Sequence, residues 1–290
     1  MNVRYLVILF VPLLAIISCQ REAEGIINRS TNTNSNDSIY LKQYVELDAT
    51  AAPGSDTVYK YDFYYDNTKR LTGYLLTEYN YNPNINTTSD TKHYYNSGDT
   101  LPFKTTTHIQ DGSLSYLDTT FYTYSNSKVS ADSIILYREN NHELLYTHRD
   151  TYSLSGSNVF LRYRHVSYSL GTPTVRLDSG LVSVTITGEN ISAQTSPPGL
   201  LFGDYNKFSY DNKVNPFYRI DIHYPLAGFS PFEAEKNNNL SQETGVDASN
   251  LFYHIMTTYT YRGDGYPVTL KRSDLLDPAY SAKGFFYYTK

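Results

Sequence analysis

The chain has 290 residues, a net charge of -5 at neutral pH, and 31 Tyr and 13 Phe against no Trp and one Cys. With no basic stripe there is no footprint for nucleic acid or phosphate, and a single cysteine excludes a disulfide framework within the chain. The composition favours β-structure, because Tyr suits a pleated, half-buried surface that keeps its hydroxyl wet.

Arg4 precedes an almost unbroken apolar run from Tyr5 to Ile17, too short for a comfortable membrane span. It ends in Ile16-Ile17-Ser18-Cys19. These residues resemble the lipobox of bacterial lipoprotein signal peptides: aliphatic residues, a small residue, then cysteine. The resemblance implies that residues 1–19 are a signal peptide, that Cys19 is lipidated, and that the membrane is a partner through that lipid. The alternative is an ordinary secretory peptide or a short anchor helix. Two or more acyl chains suffice for stable anchoring. An exported domain without disulfides must then rely on its own core. Residues 20–38 are polar, rich in Asn, Ser and Thr, and read as a flexible tether.

Residues 39–290 read as one Tyr-rich β domain. Tyr59, Tyr61, Phe63 and Tyr65 fall at a period of two, Asp66-Asn67-Thr68-Lys69 makes a turn, and Leu71, Leu75, Tyr79 and Tyr81 continue the odd series. A 3.6-residue period would scatter these side chains, so the stretch is a hairpin. Similar pairs flank Ser125-Asn126-Ser127-Lys128, Ser155-Gly156-Ser157-Asn158 and Arg262-Gly263-Asp264-Gly265. Phe208 to Asp221 reads as a strand, an Asp211-Asn212-Lys213 turn, and a return strand opened by Asn215-Pro216. Pro231 to Glu235 and Ser273 to Ala282 are compatible with short helices.

The units Tyr259-Thr260-Tyr261 with Gly265-Tyr266-Pro267, and Phe208-Ser209-Tyr210 with Asn215-Pro216-Phe217, resemble the Tyr-Asp turns of YD-repeat proteins. They are more similar to a family of Bacteroidetes lipoproteins of unknown function. Leu41 to Asp48 resembles that family's N-terminal segment. The resemblance implies a porin-like or half-barrel antiparallel fold and carries no catalytic residues.

No motif assigns chemistry. The histidines at 93, 108, 142, 148, 165, 223 and 254 form no metal-binding motif, and no cofactor is expected. Ser125-x-x-Lys128 matches a serine-acylating motif that belongs on a helix, whereas here it fills a turn. Arg262-Gly263-Asp264 is explained by turn geometry. Carboxylates on separate strands leave no signature, so paired acids stay open, and Glu46, Glu78 and Glu233 have no special context. Thr57, Thr100 and Ser133 follow Asp in tripeptides that look like the O-glycosylation sites of Bacteroidetes secreted proteins. Tyr64-Tyr65, Tyr94-Tyr95 and Tyr287-Tyr288 must each place one ring on either face of a strand, leaving phenol surface wet.

The expectation is an all-β antiparallel meander of roughly 12–14 strands, a curled sheet or half-open barrel with one or two short helices. Its outward series is too rich in Lys, Asp, Arg and Thr for a lipid face. The chain reads as a lipid-anchored envelope protein, at the outer membrane, that serves as a non-enzymatic interaction or structural module. Its partner is an envelope protein or a glycan, the latter held by exposed Tyr. A cryptic hydrolase is the third reading.

Overall fold

A computed structural model of the chain describes residues 39–50, 57–79, 86–169, 172–198, 200, 204–227, 232 and 235–289. The predicted signal peptide with Cys19, the tether, Tyr81 and Glu233 lie outside the described residues.

Sixteen strands follow one another: β1 (Tyr40–Asp48), β2 (Thr57–Tyr65), β3 (Leu71–Glu78), β4 (Thr87–Tyr94), β5 (Lys104–Asp111), β6 (Leu114–Ser125), β7 (Lys128–Arg138) and β8 (Glu143–Ser155), then β9 (Asn158–Ser169), β10 (Thr172–Thr187), β11 (Asn190–Thr195), β12 (Tyr205–Val214), β13 (Asn237–Asp247), β14 (Asn250–Tyr261), β15 (Pro267–Asp274) and β16 (Ser281–Thr289). Each pairs antiparallel with its chain neighbours, and β1 closes on β16, so the sheet is a barrel without a lateral opening in strand order. The antiparallel meander is as expected, but it is closed. The strand count exceeds the sequence reading because β4 (TTSDTKHY) and β13 (NNNLSQETGVD) carry no alternating apolar face. Both of their faces are polar, so the period-two signal has nothing to show.

Tyr40 pairs with Thr289, so both ends of the barrel chain lie at one rim, called here the near rim. The β2–β3, β6–β7 and β12–β13 connections share it, while the β9–β10 connection lies at the far rim. Asn126 and Ser127 both take positive φ (51° and 61°), the geometry of a two-residue hairpin, so Ser125 and Lys128 face each other across a turn.

One register differs from the expected hairpin. Tyr61, Phe63 and Tyr65 do face inward, but a bulge between Tyr64 and Tyr65 shifts the return strand by one residue. Phe63 therefore meets Tyr74 and Tyr61 meets Leu76, while Leu75 lies opposite outward Asp62. A one-residue slip moves every later side chain to the other face. Tyr79 accordingly stands 37% exposed.

The doubled tyrosines split as expected. Tyr64, Tyr94 and Tyr287 are exposed, and Tyr65, Tyr95 and Tyr288 turn inward. The inward hydroxyls have a common job. Tyr65 donates to the Leu41 carbonyl (2.7 Å), Tyr95 to Leu71 (2.5 Å), Tyr124 to Pro102 (2.9 Å), Tyr210 to Ile191 (2.7 Å) and Tyr288 to Pro267 (2.9 Å). Each bond runs from the end of an even-numbered strand to the start of the preceding odd-numbered one, all around the near rim. The second residue of a repeated aromatic-x-Tyr unit (Phe63-x-Tyr65, His93-x-Tyr95, Tyr122-x-Tyr124, Phe208-x-Tyr210 and Phe286-x-Tyr288) is thus a stitch between neighbouring strands. Tyr65→Phe leaves the ring in place and orphans a carbonyl, so it is expected to lower unfolding free energy by about 1 kcal/mol. Chemical denaturation checks this, with exposed Tyr64→Phe as the control that changes stability by less than half as much.

The opening unit Phe208 to Asp221 is not a hairpin. Asp211, Asn212 and Lys213 remain within β12, where Asp211 accepts from the Lys213 amide (2.8 Å) beside an irregularity in the pairing. Asn215 then caps a 3-10 turn at Pro216–Arg219, accepting from the Phe217 amide (3.1 Å) with Pro at the helix start. That proline geometry suits a helical start, and it turns the chain into the lumen instead of into a return strand. No helix is described at 273–282, where β15 and β16 are joined by a turn.

The described residues between 215 and 236 form an internal plug, with Asn215 and Lys236 joined at its neck (2.9 Å). Phe217 stacks on Phe232 (5.3 Å between centroids) and meets Tyr44, Phe63 and Phe286. These rings, with Leu41, Leu71, Tyr74 and Leu270, form one apolar cluster on β1–β3 and β15–β16. Ile222 and Leu226 enter a second cluster with Val129, Tyr152, Leu161, Val182 and Ile191 on β7–β11. The plug therefore spans the lumen from wall to wall. Its polar groups are met too: Val129 donates to the His223 carbonyl (2.9 Å), the Ala227 amide to Gln194 (2.9 Å), and the Ile191 amide to Glu235 (3.2 Å).

Candidate functional site

Beyond the plug, toward the far rim, the inward residues change character. Tyr44, Phe63, Val159, Val182 and Phe286 beside the plug are buried, whereas Tyr59, Tyr116, Tyr146, His165 and Tyr253 are half-buried or exposed. The described lumen is thus filled at one end and lined by accessible phenols, imidazoles and acids toward the other.

The polar wall centres on β7–β9. Asp132 and Asp150 lie opposite each other in register, and each is 3% exposed. The Tyr152 hydroxyl stands 3.2 Å from an oxygen of both. His148 Nε2 lies 2.9 Å from Asp150 Oδ1, and its Nδ1 lies 3.4 Å from Nδ1 of His165. The His148 ring stacks on Tyr163, and Tyr146 packs on His165. On the plug side, the Tyr224 ring meets the Tyr152 ring edge-on at 5.8 Å.

Two buried carboxylates side by side cannot both ionise cheaply. Burial, reinforced by the Asp150 charge, pushes Asp132 up to about 7. Burial pulls His148 down, but its bond to Asp150 and the nearby acids outweigh this, and its pKa ends above the usual value. His165 is lowered by burial and by His148. Asp118, on the adjoining β6 wall, is pushed up to about 6 by burial, against a hydrogen bond from Thr120 (3.1 Å). Chemically the arrangement holds a proton near neutral pH within the Asp132, Asp150 and His148 group, while burial and the two acids hold the Tyr152 phenol protonated.

Across the lumen Glu46 is 7% exposed, accepts from Tyr44 (2.6 Å) and pairs with Arg272 (3.3 Å). Gly284 makes room for this group, since a Cβ there would stand 2.5 Å from the Tyr44 hydroxyl. Among the described residues no group of three or more His, Cys, Asp or Glu comes together that could hold a metal ion.

The residues singled out in the sequence are dispersed. Of the histidines, only 148 and 165 meet. His93 is half-buried against Thr105 (3.0 Å) and pushed down to about 4 by desolvation, and His108 and His254 face outward near Glu139 (3.0 Å) and Glu243 (3.8 Å). Glu78 lies opposite Tyr59. Thr100 is exposed in the β4–β5 turn, Thr57 is half-buried at the start of β2, and Ser133 is half-buried on β7. The Asp that precedes Ser133 is the buried Asp132. Sequence reasoning missed the Asp132–Asp150–Tyr152 group, although a signal existed. Asp132 shares its face with Ile134 and Leu136, and Asp150 shares its face with Tyr146 and Tyr152. An acid inside an apolar alternating series is a buried acid.

Fold and lumen together define a plugged antiparallel β-barrel. Neither a protein-family model nor a curated protein matches the chain. Among solved structures it is similar to a porin-like protein from Bacteroides uniformis ATCC 8492, at 12% identity and a TM-score of 0.40, over 86% of this chain and 98% of that one. A porin-like protein from Bacteroides vulgatus ATCC 8482 is similar at 10% identity and a TM-score of 0.41, with the same shares of 86% and 98%. Likeness at this level assigns neither a substrate nor a partner.

Proposed function

We propose that this barrel is a lipid-tethered binding module of the cell envelope, standing in water rather than spanning a bilayer. The observation that carries the reading is the pairing of a plugged lumen with a charged outer wall. Lys60, Asp62, Lys92, Arg149, Lys207 and Lys271 all project outward from strand interiors, around much of the circumference. Several form water-facing pairs, such as Lys60–Asp62 (2.8 Å) and Lys207–Glu243 (3.6 Å). One such charge facing hydrocarbon near the midplane costs about 2–4 kcal/mol, so the wall as a whole is incompatible with lipid. The membrane link then falls to Cys19. Cys19→Ala is expected to move the folded protein into the soluble fraction without detergent. Retention of the variant in washed membranes would overturn the lipid tether, and retention of a chain that lacks residues 1–19 would overturn the water-facing wall.

A second reading concerns the cup between plug and far rim. Half-exposed Tyr146, Tyr163 and His165 beside acids offer stacking faces and hydrogen-bond partners of the kind sugars use. Calorimetry against a glycan panel tests it, with Tyr146→Ala expected to abolish any heat seen.

A further inference from the structure

Strand β10 has 16 residues, yet its neighbour β11 has 6 and pairs only with Ser183–Thr187. On its other side β10 pairs with β9 from Thr172 through Ser183. The stretch from Thr172 to Val182 thus has a strand on one side and, among the described residues, none on the other. Pro197 and Leu200 cover its inner face at Gly180, where a Cβ would sit 2.4 Å from Leu200. From Thr172 to Ser179 no other strand among the described residues pairs with the edge, which at about 3.3 Å per residue is roughly 26 Å long.

The polarity of this edge follows from the ladder. Val184 donates to Ser157 on the β9 side, and amides alternate in direction along an antiparallel strand. The odd-numbered Val175, Leu177 and Ser179 therefore turn their amides and carbonyls to the open side, where the Ser179 amide already donates to Asp178 Oδ1 (2.8 Å), so the Val175 and Leu177 amides are the donors on offer. Pro173, also odd-numbered, has no amide to offer and blunts the tip. The outer face here is apolar and exposed: Leu177 is 68% exposed and Val175 51%.

A second observation says what would cover this edge. Arg149, Arg162 and Arg164 line a shallow groove of about 380 Å³ beside it, over Leu177 and Ser179; Asp178 is the one acid in its lining, and it lies 3.6 Å from Arg176, so the three arginines set the sign. Arg149 lies opposite Arg164, Arg162 opposite Ser179, and Arg164 opposite Leu177. Like charges directly opposite destabilise a sheet. Among the described residues none of the three makes an ion pair; only Arg162 finds a partner, the Phe160 ring at 5.2 Å. This cationic groove is set in a chain whose net charge is -5.

We propose that the open edge of β10 takes up one extended, acidic peptide strand from a partner protein, whose carboxylates settle among Arg149, Arg162 and Arg164. Strand addition supplies main-chain hydrogen bonds, and the arginines supply selectivity for acidic residues. A second copy of this chain fits poorly, because it would set one arginine cluster against another. The site is on the outer wall and independent of the cup.

The test uses the soluble Cys19→Ala protein and a fluorescent peptide of alternating Glu and Val, with a Lys-Val peptide of equal length as control. The acidic peptide is expected to bind at least tenfold more tightly than the basic one. R162E/R164E, which changes only exposed side chains, is expected to reverse that preference. L177P removes an edge amide while sparing the β9 ladder, and is expected to weaken the acidic peptide at least tenfold. Equal binding of both peptides, or no binding of either, would overturn the proposal. Light scattering that shows a dimer lost in L177P would overturn it too, by giving the edge to a second copy.

Discussion

Phe217→Ala is expected to lower unfolding free energy by about 3 kcal/mol, and Leu226→Ala by about 3 kcal/mol, with the double variant near their sum. Phe217 is half-buried, which sets it at the lower end for a core Phe, but it touches rings from three strands and from the plug itself. Leu226 is 2% exposed and belongs to the other cluster. The two do not share a cluster, so their losses should add. Urea unfolding of the three variants measures this. A double variant no worse than either single one would mean that the plug leaves the lumen as a unit once one anchor is lost. Losses under about 1 kcal/mol for both would mean that the plug does not hold the barrel together.

Asp132→Asn is expected to stabilise the protein at pH 8 by about 2 kcal/mol while changing little at pH 4. The Asp132 pKa rises from 3.8 to about 7, driven by burial and then by Asp150. A carboxyl raised in this way binds its proton more tightly when folded. Its contribution is full below about pH 4 and is lost as the pH climbs through 7. His148 also shifts upward and acts with the same sign. A three-unit shift corresponds to roughly 4 kcal/mol at 1.36 per unit, and about half is assigned here because Asp150 and His148 share the proton. Asn keeps the shape and still accepts from Tyr152. Melts of both proteins from pH 4 to 9 should diverge as the pH rises. Parallel curves would show that Asp132 titrates as an ordinary surface acid.

Much of the wall was legible from residue alternation, and the reasons for the failures are physical. The doubled tyrosines at 64–65, 94–95 and 287–288 could be read as one ring inside and one outside, but only the register showed that Tyr65, Tyr95 and Tyr288 are the inward ones. β4 and β13 could not be seen, because a strand with water or polar lumen on both sides needs no apolar series. The bulge at Tyr64/Tyr65 reversed the facing of Leu75 and Tyr79, and no residue type announces a bulge. Asn215-Pro216 looked like a strand restart, yet the same pair is also a cap and a helical first residue. Only a neighbouring lumen of Phe and Tyr rings decides between them. The site failed for a different reason. Asp132 and Asp150 are 18 residues apart, and their meeting depends on the register of β7 against β8, which is a property of the turn between them.

The plug also constrains how this molecule can be made. It lies between β12 and β13, but its anchors include Tyr44 on β1, Phe63 on β2 and Phe286 on β16. Closing β1 onto β16 joins residues at opposite ends of the sequence, such as Tyr40 and Thr289, and contacts so distant along the chain form slowly. A lumen that must contain a segment of its own chain cannot be filled efficiently after the ring has shut. The plug is therefore expected to act as the mandrel on which the last strands are wound, so that substitutions at Phe217 should slow folding as well as weaken the product. A chain released after β13 but before β16 would present that mandrel half-wrapped, with its rings open to water until the final strand arrives.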